Sequence, residues 1–221
     1  MAADDDGVSM FGKIKEKLIA SKQQWAKEGR LLTGRPNSER LPPGQRLVRD
    51  WPVLDLGVQP HVPLDLWKLT VDGAVEKAAV WDWEAFSSLP QVEMVSDIHC
   101  VTQWSRYDNR WVGVAATQIL DMVKPKPEAT HIVFHSHDGY TTNVTLPMFA
   151  APDVIVAHSW EGEPLTREHG GPVRIVMPQF YFWKSAKWAR RIEFRTADKP
   201  GFWEVRGYHN EGDPWKEQRY S

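Results

Sequence analysis

The chain has 221 residues, 42% of them hydrophobic, and its 27 lysines and arginines against 29 aspartates and glutamates give a formal charge of −2. These values are typical of an ordinary globular protein and do not call for nucleic-acid binding. No apolar run approaches the roughly 20 residues that span a bilayer, and Met1 to Asp6 is acidic where a secretory leader is basic. We therefore expect a cytoplasmic protein without a membrane span. Its twelve tryptophans suit a protein that encloses a large ligand, although most of them will be structural.

The first third of the chain predicts an arm and a linker. Apolar residues over Ser9–Gly29 form one helical stripe opposite a face of lysines, which predicts an amphipathic helix packed on the main domain. A membrane-surface helix is the alternative interpretation. Leu32 to Gln45, rich in proline and glycine, predicts an irregular linker. We expect residues 1–45 to form this arm and linker, residues 46–200 to form the main domain, and residues 201–221 to form a tail packed on it.

The first part of the main domain predicts extended segments. The prolines of Leu47–Asp55 keep this stretch out of a central strand. Leu66–Val71 and Ala74–Val80 predict two strands joined by a tight hairpin turn at Asp72-Gly73, because that dipeptide favours such turns.

Two short helices are predicted in the middle of the chain. Asp82 is a suitable N-cap for a helix that Pro90 would end. Val114–Val123 predicts the second helix, which Pro125 would stop.

The second half predicts mainly strands. His131–His137 and Tyr140–Leu146 alternate as strands do and are separated by the turn dipeptide Asp138-Gly139. Val154–His158 and Arg191–Arg195 predict two further strands.

Cys100 is the only cysteine, so it cannot form an internal disulfide. One interpretation is a small buried hydrophobic side chain. Its neighbours favour another, since His99 offers a polarising base and Trp104 an aromatic wall beside a sulfur ligand for a soft or high-valent metal. One thiolate does not hold a metal by itself. The other ligands must come from elsewhere in the chain or from a cofactor.

A zinc site is one way to complete such a ligand set. His131, His135 and His137 share a face of the predicted strand, and His135-x-His137 with Cys100 has a spacing that permits zinc. No second cysteine pair or His-Glu-x-x-His helix supports it, and surface histidines at a hairpin end explain the pattern equally well.

The last third of the chain has the pattern of an anion site. Two glycines after His169 allow close approach of the backbone to a ligand, and Arg174 follows on a predicted strand. Ser185 is the predicted start of a short helix with Lys187 in its first turn, whose free N–H groups would cradle an anion. Arg174 and Lys187 would supply the countercharge. Taken singly, each could be a solvated surface cation.

These segments together resemble the sulfite oxidase family of molybdenum enzymes. The resemblance rests on Glu161-Gly-Glu-Pro-Leu-x-x-x-His-Gly-x-Pro-Val-Arg-Ile-Val-x-Pro178, on Lys184-Ser-x-Lys-Trp188 and on His99-Cys-Val-x-x-Trp104. It covers about Leu47 to Arg195, in the family's order. It implies an α+β fold with mixed β-sheets and short helices. It also implies molybdopterin, whose two dithiolene sulfurs bind one molybdenum while the cysteine supplies a third sulfur.

The resemblance implies a set of site residues. Cys100 matches the metal ligand, Tyr140 a tyrosine beside the metal in related bacterial methionine-sulfoxide reductases, and Arg49 an arginine near the substrate anion of sulfite oxidases. The implied cofactor contacts are Trp51, Leu54, Asp55, Ser136, His169, Arg174, Ser185, Ala186 and Lys187.

Departures from the family pattern bear on the substrate. Trp51 replaces a histidine of the sulfite oxidase segment, and Val101-Thr-Gln-Trp-Ser105 lacks the two arginines that follow the cysteine there. We also expect no haem domain, export signal or immunoglobulin-like dimerisation domain. The resemblance therefore implies a molybdenum-molybdopterin oxidoreductase that catalyses two-electron oxygen-atom transfer on a small S- or N-centred substrate, served by a separate electron donor or acceptor protein. A true sulfite oxidase or dehydrogenase is the first alternative, and a zinc-binding or metal-free domain without catalysis is the second.

Overall fold

A computed structural model of the protein describes residues 40–221. The helix predicted over Ser9–Gly29 and most of the predicted linker lie outside the described residues.

Eleven β-strands and three α-helices form the regular structure of residues 40–221. The helices are α1 (Trp83–Ser87), α2 (Ala116–Val123) and α3 (Leu146–Phe149). The strands are β1 (Arg46–Leu47), β2 (Lys68–Gly73), β3 (Ala79–Asp82), β4 (Val92–Cys100), β5 (Trp104–Ala115), β6 (His131–Ser136), β7 (Thr141–Thr145), β8 (Ile155–Trp160), β9 (Glu163–Pro164), β10 (Arg174–Val176) and β11 (Ala189–Arg195).

The strands form two mixed sheets in the described part of the chain. One has the order β1-β5-β8-β10, with β4 added to β5 and β9 to β8; the other has the order β3-β2-β11-β6-β7. Parallel pairing of β1 with β5 and of β2 with β11 accompanies antiparallel pairing elsewhere. The expected α+β architecture of mixed sheets with short helices is confirmed.

Strand alternation separates two apolar clusters. Along β8, Val156 packs into the main core together with side chains of the five-stranded sheet, such as Phe134. Its neighbours Ile155 and Ala157 point to the other face of the six-stranded sheet and join a second cluster, because successive side chains of a strand point to opposite faces. This second cluster carries the functional site.

The tight hairpin predicted at Asp72-Gly73 is wrong. The strands β2 and β3 do pair, but residues 74–78 connect them and Gly73 stays within the sheet. Strand β11 approaches so closely that a Cβ on Gly73 would lie 2.1 Å from the carbonyl oxygen of Phe194. The glycine therefore allows close packing of two strands instead of forming the turn.

The two short helices predicted in the middle of the chain are present, one of them with a shifted boundary. Asp82 caps α1 by accepting a hydrogen bond from the amide of Ala85 at 2.9 Å. The second helix begins at Ala116, two residues later than predicted, because Val114 and Ala115 still pair with β8. The predicted turn at Asp138-Gly139 is confirmed, since it joins the antiparallel strands β6 and β7.

Candidate cofactor and active site

A cleft lies against the second apolar cluster and is lined by its aromatic side chains together with several polar and charged residues. Of the twelve site residues expected from the sequence, the structure brings ten to the lining of this cleft. They are Trp51, Leu54, Asp55, Cys100, Ser136, Tyr140, His169, Arg174, Ser185 and Lys187.

Cys100 is the last residue of β4 and its buried thiol is part of the cleft wall. Its carbonyl oxygen accepts hydrogen bonds from Gln45 Nε2 at 3.1 Å and from the amide of Gln103 at 3.0 Å. Its Sγ lies 3.1 Å from Oγ1 of Thr102. Trp104 stands opposite Cys100 in the pairing of β4 with β5 and also lines the cleft, as expected for an aromatic wall. The backbone around the sulfur is therefore held from several sides.

The interpretation of His99 as a base beside Cys100 is wrong. Adjacent strand residues point to opposite faces, and His99 lies in a separate groove together with Trp215. Its Nδ1 is 2.8 Å from Ser105 Oγ, and its ring packs edge-on against Trp215 with centroids 4.9 Å apart. Burial lowers the pKa of His99 to about 4, so the ring is neutral at pH 7.

Arg174 contributes a buried positive charge to the cleft. Its side chain donates to the carbonyl oxygens of His169 at 2.8 Å, Ser185 at 2.9 Å and Ile175 at 3.4 Å. A guanidinium has five N–H donors, so two remain after these three bonds. No carboxylate pairs with it among residues 40–221, and burial lowers its pKa to about 9. A bound anion would supply the missing countercharge.

His169 and Trp51 form a stacked pair in the cleft. Their ring centroids are 3.9 Å apart and the rings are within 6° of parallel. Burial, together with the charges of Arg174 and Lys187, lowers the pKa of His169 to about 4, so this ring is also neutral at pH 7. Its Nδ1 is buried and has no hydrogen-bond partner in the described part of the chain.

Ser185 and Lys187, which were expected at an anion site, line the cleft, but the helix predicted to start at Ser185 is absent. A 3-10 turn over Phe182–Lys184 ends at Ser185 instead, and Ser185 Oγ accepts from the amide of Met177 at 2.9 Å. Lys187 is partly buried and donates to the carbonyl oxygen of Glu168 at 2.6 Å. The expected cradle of a helix N-terminus is thus replaced by side chains on two adjoining loops.

Close contact between these loops depends on a glycine. Gly170 has a φ of +102°, and a Cβ there would lie 2.8 Å from Cβ of Lys187. The amide of Trp188 donates to the carbonyl oxygen of Gly170 at 3.0 Å. Only glycine combines this conformation with this proximity.

Tyr140 rests on a buried polar network behind the cleft. Its hydroxyl donates to the carbonyl oxygen of Trp183 at 2.5 Å, while the Trp183 indole donates to Glu204 Oε1 at 3.0 Å. The same carboxylate forms a fully buried ion pair with Lys184 at 2.6 Å. Burial, then the charge of Glu204, raises the pKa of Tyr140 well above its ordinary value, so the phenol stays protonated.

Two of the expected site residues lie outside the cleft lining. Arg49 is exposed, and its carbonyl oxygen accepts from Arg106 Nε at 3.0 Å. Ala186 is buried in the main core, and its carbonyl oxygen accepts from the amide of Ile175 at 2.8 Å.

The zinc alternative finds no support in the geometry. Within residues 40–221 no three His, Cys, Asp or Glu side chains lie close enough together to hold a metal ion. His135 Nε2 is instead 2.8 Å from Glu193 Oε2, and His137 is exposed on the other sheet from Cys100.

Sequence reasoning missed several aromatic residues of the cleft. Among the described residues, five of the chain's twelve tryptophans line it: Trp51, Trp104, Trp183, Trp188 and Trp203. Phe182 and Tyr208 also line it. Trp51 and Trp104 were expected at the site, whereas no local pattern assigned Trp183, Trp188, Trp203, Phe182 or Tyr208 a place in the cleft wall.

The chemistry of the lining fits a molybdopterin. Ser136 Oγ and His169 Nδ1 are buried polar atoms without hydrogen-bond partners in the described residues, as expected where a ligand supplies them. Arg174 and Lys187 suit a phosphate group. Cys100 offers one sulfur to a metal whose other sulfur ligands the pterin would provide.

Residues 40–221 thus form a two-sheet fold with short helices, and its cleft offers a thiol and a buried cation suited to an anionic cofactor that needs a sulfur ligand. Comparison with known protein families identifies the family, because residues 56–203 match the oxidoreductase molybdopterin binding domain. The chain belongs to this family and is a molybdopterin-dependent oxidoreductase of the sulfite oxidase type.

Similar proteins agree with this assignment. The chain is 45% identical over 185 residues to the uncharacterized oxidoreductase YuiH of Bacillus subtilis, covering 83% of this chain and 93% of that protein. It is 26% identical over 155 residues to the protein-methionine-sulfoxide reductase catalytic subunit MsrP of Ralstonia nicotianae, covering 63% of this chain and 46% of that protein. The chain thus spans about half the length of that reductase.

A solved structure supports the fold. The sulfane dehydrogenase SoxCD from Paracoccus pantotrophus matches with a TM-score of 0.58 and 22% identity, over 63% of this chain and 40% of the other. No helix in residues 40–221 is long and apolar enough to cross a membrane.

Proposed function

We propose that the protein catalyses two-electron oxygen-atom transfer on a small S- or N-centred substrate, with molybdenum held by molybdopterin and by the thiolate of Cys100. The observation that carries this proposal is the position of Cys100 in one cleft with the buried cation of Arg174 and the unpartnered Ser136 Oγ. When bound, the cofactor supplies the redox metal at which the oxygen atom is exchanged.

The chain's own residues would bind and orient this cofactor. Arg174 and Lys187 would hold its phosphate, and His169, Ser136 and Ser185 would contact its polar parts. The segment of Trp51, Leu54 and Asp55 would cover it, because Trp51 stacks on His169 at the cleft wall.

Tyr140 would act as a neutral positioning group near the reacting oxygen. Its proton is directed to the carbonyl oxygen of Trp183, and its raised pKa keeps it from serving as a base at neutral pH. We do not extend the site to Arg49, which is exposed and outside the lining.

The charges of the lining favour a neutral oxide over sulfite. Among the described residues, the cleft lining contains one arginine, Arg174, and one lysine, Lys187. Both lie where we place the phosphate of the cofactor. Asp55 and Asp138 also line it. A second basic cluster for an anionic substrate is therefore lacking among these residues.

The electrons would be exchanged with a separate protein. Reduction of an S-oxide consumes two electrons and two protons and releases the thioether and water, and these electrons must come from a donor. A cytoplasmic location remains a prediction that cell fractionation would test.

Steady-state assays of molybdenum-loaded protein test the proposal. Reduced methyl viologen should be oxidised in the presence of dimethyl sulfoxide or trimethylamine N-oxide, and faster than ferricyanide is reduced with sulfite. The Cys100→Ser protein is the matched control, because serine is close to cysteine in size but does not supply the thiolate. Efficient sulfite oxidation would favour the sulfite oxidase alternative, and no turnover of either kind in fully loaded protein would refute oxygen-atom transfer.

A further inference from the structure

The C-terminal segment, residues 201–221, forms one wall of the cleft on the Cys100 side. Trp203 and Tyr208 are buried, line the cleft and belong to the same apolar cluster as Cys100 and Trp104. Their rings stack with centroids 4.7 Å apart, and Tyr208 packs edge-on against Trp183 at 5.0 Å. The result is a continuous aromatic surface beside the sulfur.

Hydrogen bonds hold this wall in place. The amide of Phe202 donates to the carbonyl oxygen of Thr141 at 2.7 Å, and the amide of Tyr181 donates to that of Gly212 at 2.7 Å. Gly201 packs so tightly against strand β7 that a Cβ there would lie 2.4 Å from the carbonyl oxygen of Thr141. An apolar wall that is already ordered loses little conformational entropy when a ligand binds to it.

The buried ion pair of Lys184 and Glu204 also holds this wall in place. Glu204, next to Trp203, accepts from Lys184 Nζ at 2.6 Å and from Thr142 Oγ1 at 2.8 Å. Glu204 also fixes the indole of Trp183, against which Tyr208 packs. One carboxylate thus ties the aromatic surface to strand β7 and to the turn over Phe182–Lys184.

The composition of this wall selects against charge. Val101, Thr102, Trp104, Trp203 and Tyr208 line the cleft together with Cys100, and none of these five side chains carries a charge at neutral pH. Burying an anion against such a surface costs free energy, because no opposite charge replaces its water. An uncharged molecule with an apolar substituent would bury its substituent there.

We propose that Trp203 and Tyr208 are specificity-determining residues that contact the organic substituent of an uncharged S- or N-oxide. The proposal rests on the proposed oxygen-atom transfer and names the substrate class: oxides carrying an aryl or extended alkyl group are preferred over those carrying only methyl groups. Tyr208 lies beyond residue 203, where the match to the shared domain ends. This selectivity is therefore partly a property of the chain outside the shared domain.

The electrostatics of Tyr208 agree with a packing role. Burial, then the neighbouring Tyr220, raises the pKa of Tyr208, and the charge of Cys100 acts in the same direction. The phenol therefore stays neutral and lies within electrostatic reach of the sulfur. Its ring, rather than its hydroxyl, is the feature expected to matter.

Calorimetry on molybdenum-loaded protein tests the proposal without turnover. Sulfones keep the S–O group and resist reduction, so dimethyl sulfone and methyl phenyl sulfone are suitable probes. The wild type should bind the phenyl compound about tenfold more tightly, because the ring buries apolar surface against the wall. Tyr208→Leu and Trp203→Leu should abolish most of this preference, whereas Tyr208→Phe, which keeps the ring, should retain it.

Two results would overturn the proposal. One is equal affinity of the wild type for the two sulfones, and this needs no variant to fold. The other is an unchanged preference in both leucine variants, with molybdenum content and melting temperature measured alongside. Trp203→Phe is the milder substitution if a leucine variant does not fold, and it should reduce the preference by about half on a logarithmic scale, since part of the ring stays.

Turnover separates this proposal from the proposed function. Protein that prefers the phenyl sulfone but reduces neither dimethyl sulfoxide nor methyl phenyl sulfoxide would refute oxygen-atom transfer. The role of Trp203 and Tyr208 in binding would then still stand. Protein that reduces both sulfoxides with equal kcat/KM and binds both sulfones equally would refute the specificity role of Trp203 and Tyr208. Oxygen-atom transfer would then still stand.

Discussion

Replacing Arg174 with methionine removes the buried charge that we assign to the cofactor phosphate. In the structure this guanidinium is bonded to backbone carbonyl oxygens, has no carboxylate partner among residues 40–221, and has a pKa lowered by burial from 12.5 to about 9. This lowering corresponds to roughly 5 kcal/mol of lost hydration of the cation. The charged side chain therefore destabilises the cofactor-free fold at every pH below about 9.

The substitution should have different consequences in the cofactor-free and the loaded protein. Without cofactor, relief of the buried charge offsets the loss of bonds to the carbonyl oxygens of His169 and Ser185, each worth about 1–3 kcal/mol when left unpaired. With cofactor, the variant loses a charge-assisted hydrogen bond to a buried anion, about 1.5–3 kcal/mol. That loss corresponds to roughly 10- to 150-fold weaker retention of the cofactor.

The assay is molybdenum per chain after gel filtration, together with melting temperatures of loaded and cofactor-free protein. For a domain of this size, about 1.5–3 kcal/mol corresponds to roughly 3–12 °C of the melting temperature. Arg174→Met should reduce the gap between the two forms by this amount. Arg110→Met, the same change at an exposed arginine of β5, is the control. Full molybdenum loading and an unchanged gap in Arg174→Met would refute the assignment of this residue to the phosphate.

Three further predictions concern other parts of the site. Cys100→Ser should abolish turnover and leave the melting temperature of cofactor-free protein within a few degrees of wild type, since serine is similar in size but ionises far less readily; wild-type turnover in this variant would remove the cysteine from the mechanism. Burial lowers the pKa of His99 from 6.5 to about 4, so its neutral form contributes stability that is present above pH 6.5 and lost as the pH falls toward 4. Urea unfolding should show that His99→Gln loses roughly 2 kcal/mol less than wild type between pH 7 and pH 5, and identical pH dependence would contradict this. Lys184→Met should lower the free energy of unfolding by about 3–5 kcal/mol, because the partner carboxylate of Glu204 is left buried and unpaired. The double variant with Glu204→Gln should regain part of this loss. A loss below about 1 kcal/mol in Lys184→Met alone would show that the ion pair is not buried in solution.

The sequence was most informative where short motifs carry the chemistry. The glycines after His169 predicted a close backbone approach, and Arg174 was predicted on the strand that follows. In the structure Gly170 packs against Lys187, and Arg174 begins a strand and lines the cleft. Strand alternation and the Asp138-Gly139 turn likewise predicted the β6–β7 hairpin, because these signals act over a few residues only.

Tertiary packing decided the features that the sequence did not reveal. Gly73 was expected in a turn, but the proximity of β11, more than a hundred residues later, keeps it in the sheet. The direction of His99 depends on which face of β4 the cleft occupies, which periodicity alone does not specify. Trp203 and Tyr208 reach Cys100 only through the path of the C-terminal segment, so no local motif pointed to them.

Metal and pterin analysis of the purified protein tests the central claim most directly. Protein made in cells that synthesise molybdopterin should contain close to one molybdenum per chain and release a fluorescent oxidised pterin on denaturation. The Arg174→Met protein should contain less of both, since the phosphate anchor is removed. Zinc in place of molybdenum, or a folded protein that contains neither molybdenum nor pterin from such a host, would contradict the account.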